Sequence, residues 1–210
     1  AVPPHRSPRS GPGVSETGEI IVVRHGQTAA NAQGLLLGRL DVDLDAVGRV
    51  QAVALAAALP APDLVVTSPL ARTRQTAAAF GEHIEVEVDE QWIEMDYGAF
   101  DGRPVADVPA ETWARWRADV DFAPPGGESL AGMTARVHDA LDDLATRAAG
   151  RRVVVVTHVS PIKSTVGWAL QLGPEVSWRT FVAPASITRV GLGPNGPTLR
   201  SFNETMHLSA

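Results

Sequence analysis

The chain has 210 residues, 44% of them hydrophobic, a formal charge of −6 and no cysteine. That length gives one large domain or two small ones with room for a real core. The missing cysteines exclude disulfides, thiolate metal sites and cysteine nucleophiles. The negative charge gives no support for nucleic acid or an anionic membrane as a partner, so any bound anion needs a local cluster of positive charge.

Residues 1–18, AVPPHRSPRSGPGVSETG, are rich in Pro, Ser and Gly without periodic apolar pattern, and read as a flexible tail outside the fold. Such a tail can lie against a neighbouring subunit, which leaves a homodimer open. The first residues lack the segments of a signal peptide. No apolar run approaches the roughly 20 residues of a membrane span. These features fit a cytoplasmic protein with no membrane partner.

Residues 19–210 read as one domain. Ile20 to Val23 is a short continuous apolar run, the mark of a fully buried strand, and it runs straight into Arg24, His25 and Gly26. Asp45 is placed to cap a helix from Val47 to Leu59 that Pro60 stops. Asp63 to Ser68 is a second buried strand. The helix after it is expected to open with Pro69 and stop at Gly81. HIEVEVD, from His83 to Asp89, alternates as a more exposed strand does. Trp113 and Trp116 stand at helical spacing, and packing is the favoured role for them over ligand stacking. Ser129 caps a long helix to about Ala149, with Gly150 after it. RVVVVT is the fourth strand and ends one residue before His158. Ser160 and Pro161 read as the cap and first turn of a helix to about Gln171. Two terminal strands, SITRVGLG and PTLRSFNE, look like a hairpin.

Strands alternate with helices over most of the length. That is the α/β pattern, a central, mostly parallel sheet with helices on both faces in three α/β/α layers. In such sheets ligands bind beyond the carboxyl ends of the strands. RHGQT, SPLARTRQT and THVSPIK each put a cation or an imidazole there, near glycine or free backbone amides. A phosphoryl group suits such surroundings. Arginine forks pair its oxygens bidentately, and helix starts offer N–H groups.

VVRHGQTAAN, GRLDVDLDAVG, VTSPLARTRQTA, EMDYGAFDG, PPGGES and VVVVTHVSPIK follow one another as in a known family. From about Ile20 to Leu208 the chain resembles the histidine phosphatase superfamily, the phosphoglycerate mutase-like family, on its phosphatase branch. The resemblance implies that His25 attacks phosphorus and becomes a phosphohistidine. It implies that Arg24, Arg72 and His158 surround the phosphoryl oxygens, with Asn31, Thr28 and Gly38 as further contacts. Glu94 in EMDYG matches the general acid, ahead of Asp96 and Asp101. Its neighbours Trp92, Ile93, Met95 and Tyr97 would favour its protonated form by apolar burial. Val159 and Ser160 stand where the family commonly has glycine after its second histidine, and they are expected to offer a backbone amide and a hydroxyl to the phosphate.

The implied activity is a metal-independent phosphomonoesterase with no cofactor. It would act on a small-molecule phosphate ester and release inorganic phosphate. Two other readings remain: a cofactor-dependent phosphoglycerate mutase, and a phosphate-binding protein without catalysis. The family's mutases carry a long basic insertion between the acid and the second histidine. Here the interval from Glu94 to His158 is short and has no basic cluster, which favours the phosphatase. A metallohydrolase would need paired carboxylates and closely spaced histidines that the chain lacks. His5, His83, His138 and His207 match no motif and read as tail, surface and terminal residues. The part of the substrate beyond the phosphate is expected to meet the region from about Arg103 to Ser129.

Overall fold

The computed structural model describes residues 17–209. The expected tail therefore lies almost wholly outside the described residues, and Gly18 already belongs to the first strand. The strands are β1 (Gly18–Arg24), β2 (Leu64–Thr67), β3 (Val86–Val88), β4 (Arg152–Thr157), β5 (Ile187–Gly193) and β6 (Gly196–Glu204). They form one sheet in the order β3-β2-β4-β1-β5-β6. β3, β2, β4 and β1 run parallel, and β5 and β6 complete the sheet as an antiparallel hairpin beside β1. The helices are α1 (Ala29–Ala32), α2 (Ala46–Ala58), α3 (Ala71–Ala77), α4 (Ala110–Ala118), α5 (Leu130–Arg147) and α6 (Val159–Leu170). Among the described residues no helix is long and apolar enough to cross a membrane.

Successive strand residues point to opposite faces of a sheet, and this divides the core in two. Ile20, Val22, Leu64, Val66, Val153 and Val155 face Met133, Val137, Leu141, Leu144 and Ile162 from α5 and α6. Ile21, Val23, Val65, Val154 and Val156 face Leu55, Ala77 and Phe80 on the other side. The β1 and β4 residues among these are fully buried. Each such side chain withdrawn from water contributes roughly 1.5–3 kcal/mol. The expected three-layer α/β/α architecture with a mostly parallel sheet is therefore the observed one.

The helix starts differ in detail from the expectation. Pro69 lies before α3, which begins at Ala71; Asp41 Oδ1 takes the Ala71 amide at 2.7 Å in place of a local cap. Ser160 and Pro161 do not open α6. His158 occupies the cap position and Val159 is the first helical residue. The physical reason is a distant carboxylate: Glu94 accepts from the Val159 and Ser160 amides, so no local side-chain cap is needed. α5 ends at Arg147, two residues early, and Gly150 follows with φ +69°. The four-residue α1 was not expected. It exists through a reciprocal capping box between Thr28 and Asn31.

The register fixes where the chemistry lies. Arg24 pairs with Thr157, and Thr67 pairs with Val156. The next residues of three adjacent parallel strands, His25, His158 and Ser68, therefore leave the sheet together at its carboxyl edge.

Candidate active site

His25 is 2% exposed, and its own amide donates to Thr157 O at 3.0 Å, so the end of β1 is pinned to β4. Its Nδ1 lies 2.6 Å from the Gly26 carbonyl oxygen. A carbonyl only accepts, so Nδ1 carries the proton of the neutral ring and Nε2 keeps a free lone pair. Gly26 allows this turn because α2 begins against it: a Cβ at Gly26 would collide with the Gly48 carbonyl, and one at Gly48 with that of Gln27. The Gly26 amide donates to Thr76 Oγ1 of α3 at 3.1 Å.

His158 is fully buried, and its ring centroid stands 5.2 Å from that of His25, edge to face. Arg72 Nε donates to its Nδ1 at 3.3 Å. Its Nε2 must then carry the proton, which it donates to Ser68 Oγ at 2.7 Å. Ser68 Oγ is 2.8 Å from Thr73 Oγ1, which links the ring to α3.

The guanidinium of Arg72 is held on three sides. Besides Nε, Nη1 donates to Leu40 O at 2.7 Å and Nη2 to Gly38 O at 2.6 Å. Three of its five N–H groups are used and two remain. Gly38 thus positions Arg72 through its carbonyl. A Cβ there would come within 2.8 Å of Met95 O and 2.9 Å of the Tyr97 ring. Arg24 Nη1 donates to Val182 O at 2.8 Å, while its Nε is buried without a protein partner. An unpaired buried donor beside two imidazoles is a place for an anion.

Glu94 is 2% exposed. Its oxygens accept from the Met95 amide at 2.7 Å, the Val159 amide at 3.0 Å and the Ser160 amide at 3.2 Å. The apolar enclosure expected for Glu94 is thus incomplete, because the start of α6 points at it. The amides of Val159 and Ser160 hold this carboxylate and are not free for a phosphate. The Ser160 hydroxyl lies 3.2 Å from Tyr97 Oη. Thr28 is fully buried, and the Asn31 carboxamide oxygen accepts from its amide at 3.1 Å, which leaves the Asn31 nitrogen as the free donor end.

The two carboxylates weighed against Glu94 serve loops. Asp101 accepts from the amides of Gly38, Arg39 and Leu40 at 2.7, 2.8 and 2.9 Å, and so fixes the two carbonyls that hold Arg72. Asp96 accepts from the Gly98 amide at 2.8 Å and lies 3.6 Å from Arg39 Nε. Sequence reading missed Asp101, Ser68 and Thr73 as supports; the one signal for Asp101 is its place in EMDYGAFDG. His83 is exposed, as expected of a surface residue. His207 is partly buried and meets Ala185 O at 3.0 Å.

Burial lowers His25 well below the usual imidazole value, and the charges of Arg24 and Arg72 push it further the same way. His158 is lowered by burial first and then by Arg72. Burial also brings Arg24 down to about 10, which leaves it charged at neutral pH. The site thus holds two neutral imidazoles and two guanidinium cations near the side chain of Glu94. Among the described residues no group of three His, Cys, Asp or Glu side chains is placed to hold a metal ion.

The chain is 34% identical over 198 residues to the bifunctional protein Rv2228c of Mycobacterium tuberculosis, covering 90% of this chain and 54% of that one. It therefore spans about half the length of the first curated relatives it matches. Phosphoserine phosphatase 1 of Hydrogenobacter thermophilus is 33% identical over 202 residues, with 90% of this chain and 94% of the relative covered. Among solved structures, a mutant phosphoserine phosphatase from Entamoeba histolytica in complex with phosphoserine superposes with a TM-score of 0.84 at 26% identity, covering 90% and 98% of the two chains. A family model described as histidine phosphatase superfamily (branch 1) matches residues 20–205, which take in every strand end described above. On that match this chain belongs to the histidine phosphatase superfamily.

Proposed function

We propose that the protein is a metal-independent phosphomonoesterase that hydrolyses a small phosphorylated metabolite through a phosphohistidine on His25. The observation that carries this reading is the His25 ring itself, fixed by Gly26, kept neutral by burial, and flanked by guanidinium groups. A neutral imidazole with a free Nε2 is a competent nucleophile, and a covalent intermediate divides one hard transfer into two easier ones.

Nε2 attacks phosphorus in line with the departing ester oxygen. Charge spreads over the three equatorial oxygens, and fixed positive charge stabilises it without reorganisation. The unpaired Arg24 Nε, the two unused N–H groups of Arg72 and the Asn31 amide nitrogen are the donors for these oxygens. His158 orients Arg72 and packs on the nucleophile. Thr28 positions Asn31, and Gly38 positions Arg72. Glu94 gives a proton to the leaving alkoxide and takes one from the water that opens the phosphohistidine. The Val159 and Ser160 amides hold Glu94 for both steps. The products are the alcohol and inorganic phosphate.

Relatives named as phosphatases support hydrolysis over mutase chemistry. The test is the covalent species. Brief mixing with an excess of p-nitrophenyl phosphate in a strong chelator should give a burst of nitrophenolate and an acid-labile phosphoprotein. His25→Ala should abolish both and cut kcat at least about a hundredfold, or roughly 2.7 kcal/mol in the barrier. A variant that keeps more than about a hundredth of wild-type kcat would sink the assignment of His25.

A further inference from the structure

The segment PPGGES, Pro124 to Ser129, is bound along EMDYG, the stretch that begins with Glu94. The Glu128 amide donates to Asp96 O at 2.9 Å, and the Ala99 amide donates to Pro125 O at 2.9 Å. Two glycines permit this close approach. Gly98 has φ +52°, and a Cβ on it would collide with Pro125 O. A Cβ on Gly127 would come within 2.6 Å of Asp96 O. Ser129 then caps α5 by accepting from the Gly132 amide at 3.0 Å, so the segment ends on the helix that carries Arg136.

Arg136 ties the two segments together. Its Nε donates to Glu128 Oε1 at 2.8 Å and its Nη2 to Glu128 Oε2 at 2.9 Å, a two-pronged, charge-assisted pair. The same guanidinium donates from Nη1 to Gln91 O at 2.6 Å and from Nη2 to Glu94 O at 3.2 Å. Both side chains of the pair are only 19% exposed. Burial disfavours an ionised Glu128, but the bond to Arg136 and the charges of Arg136 and Arg39 outweigh it and hold the carboxyl below its ordinary range. Thr157 Oγ1 of β4 donates to Trp92 O at 2.5 Å. The carbonyls of Gln91, Trp92 and Glu94 are thus all held. Glu94 is fixed at both ends, its main chain by Arg136 and its carboxylate by the Val159 and Ser160 amides. Among the described residues no hydrogen bond of Arg136 reaches His25, Arg24, Arg72 or His158.

We propose that Glu128 and Arg136 are positioning residues for the proton transfer at Glu94: the pair braces the main chain of Glu94 so that its carboxyl meets the leaving oxygen. The inference rests on the reading of Glu94 as the acid. A misplacement of about 1 Å at a reacting group costs on the order of a hundredfold in rate. A brace that touches only the main chain therefore acts on the chemistry through Glu94 alone, and its loss falls on the esters that need a proton most.

The test compares phenyl phosphate with p-nitrophenyl phosphate, which share a ring and differ in how much the leaving oxygen needs a proton. Glu128→Ala should lower kcat/KM about tenfold for phenyl phosphate and less than about threefold for p-nitrophenyl phosphate. Arg136→Lys keeps the charge and loses the fork, and it should follow Glu128→Ala. Glu128→Gln keeps one acceptor oxygen and should recover part of the loss. An unfolded fraction lowers both rates alike, so the ratio of the two esters is blind to stability, and the isosteric Glu128→Gln carries the test if Arg136→Lys does not fold. In a Glu94→Gln background Glu128→Ala should leave the ratio unchanged, because the two act as one unit. Equal losses for both esters in Glu128→Ala, or a further change of the ratio in the Glu94→Gln background, would overturn the brace while leaving Glu94 as the acid. Equal losses for both esters in Glu94→Gln would overturn the acid itself, and the brace with it.

Discussion

A neutral imidazole attacks phosphorus and a protonated one does not, so under the proposed mechanism the surroundings of His25 set the acid end of the working range. Burial, then Arg24 and Arg72, lower its pKa well below the ordinary value. A lowered pKa keeps the ring neutral further into acid. The acid limb of kcat/KM for p-nitrophenyl phosphate is therefore expected well below about pH 6.5, the ordinary histidine value. An acid limb at or above that value would show that the nucleophile is not shielded in this way. His25 and His158 were legible in the sequence because each follows a run of apolar residues too short for a helix. Glu94 was legible only through its motif.

The loop between α1 and α2 acts as a mould for Arg72. Two of its carbonyls, from Gly38 and Leu40, hold the guanidinium, and one carboxylate, Asp101, holds the loop through three amides. Asp101→Ala leaves those amides without their charged acceptor. kcat/KM should fall about 10–100-fold, matching the loss of one or two charge-assisted bonds in effect on Arg72. Vanadate inhibition should weaken in parallel, and Asp101→Asn, which keeps an acceptor oxygen, should recover part of both. Unchanged vanadate inhibition in Asp101→Ala would separate the loop from the anion site. The strands and the long helices could be read from periodicity and local caps. The start of α6 could not, because its cap is Glu94, far away in sequence. α1 was missed because four residues are too few to show a period.

At the scale of the whole molecule, two buried neutral histidines tie stability to pH. The folded-state values of His25 and His158 lie below the unfolded value. Protonation therefore favours the unfolded chain, and the unfolding free energy falls as pH drops below about 6.5, by about 1.4 kcal/mol per pH unit for each histidine until the folded values are reached. Urea unfolding at several values between pH 5 and 7 should show this slope, and His25→Asn with His158→Asn should flatten it. An identical slope in the double variant would assign the effect to other groups.

The sheet order also bears on how the protein is made. Of the six strands β1 is synthesised before the rest, yet its two neighbours are β4 and β5, which follow far later in sequence. Contacts this distant in sequence close slowly. Until residue 152 has been synthesised, Ile20–Val23 has neither partner and remains an unpaired apolar strand of the kind that recruits other chains. The strand that delivers His25 is thus the segment a nascent chain must keep shielded longest, and a chaperone that binds short apolar stretches would find its natural target there.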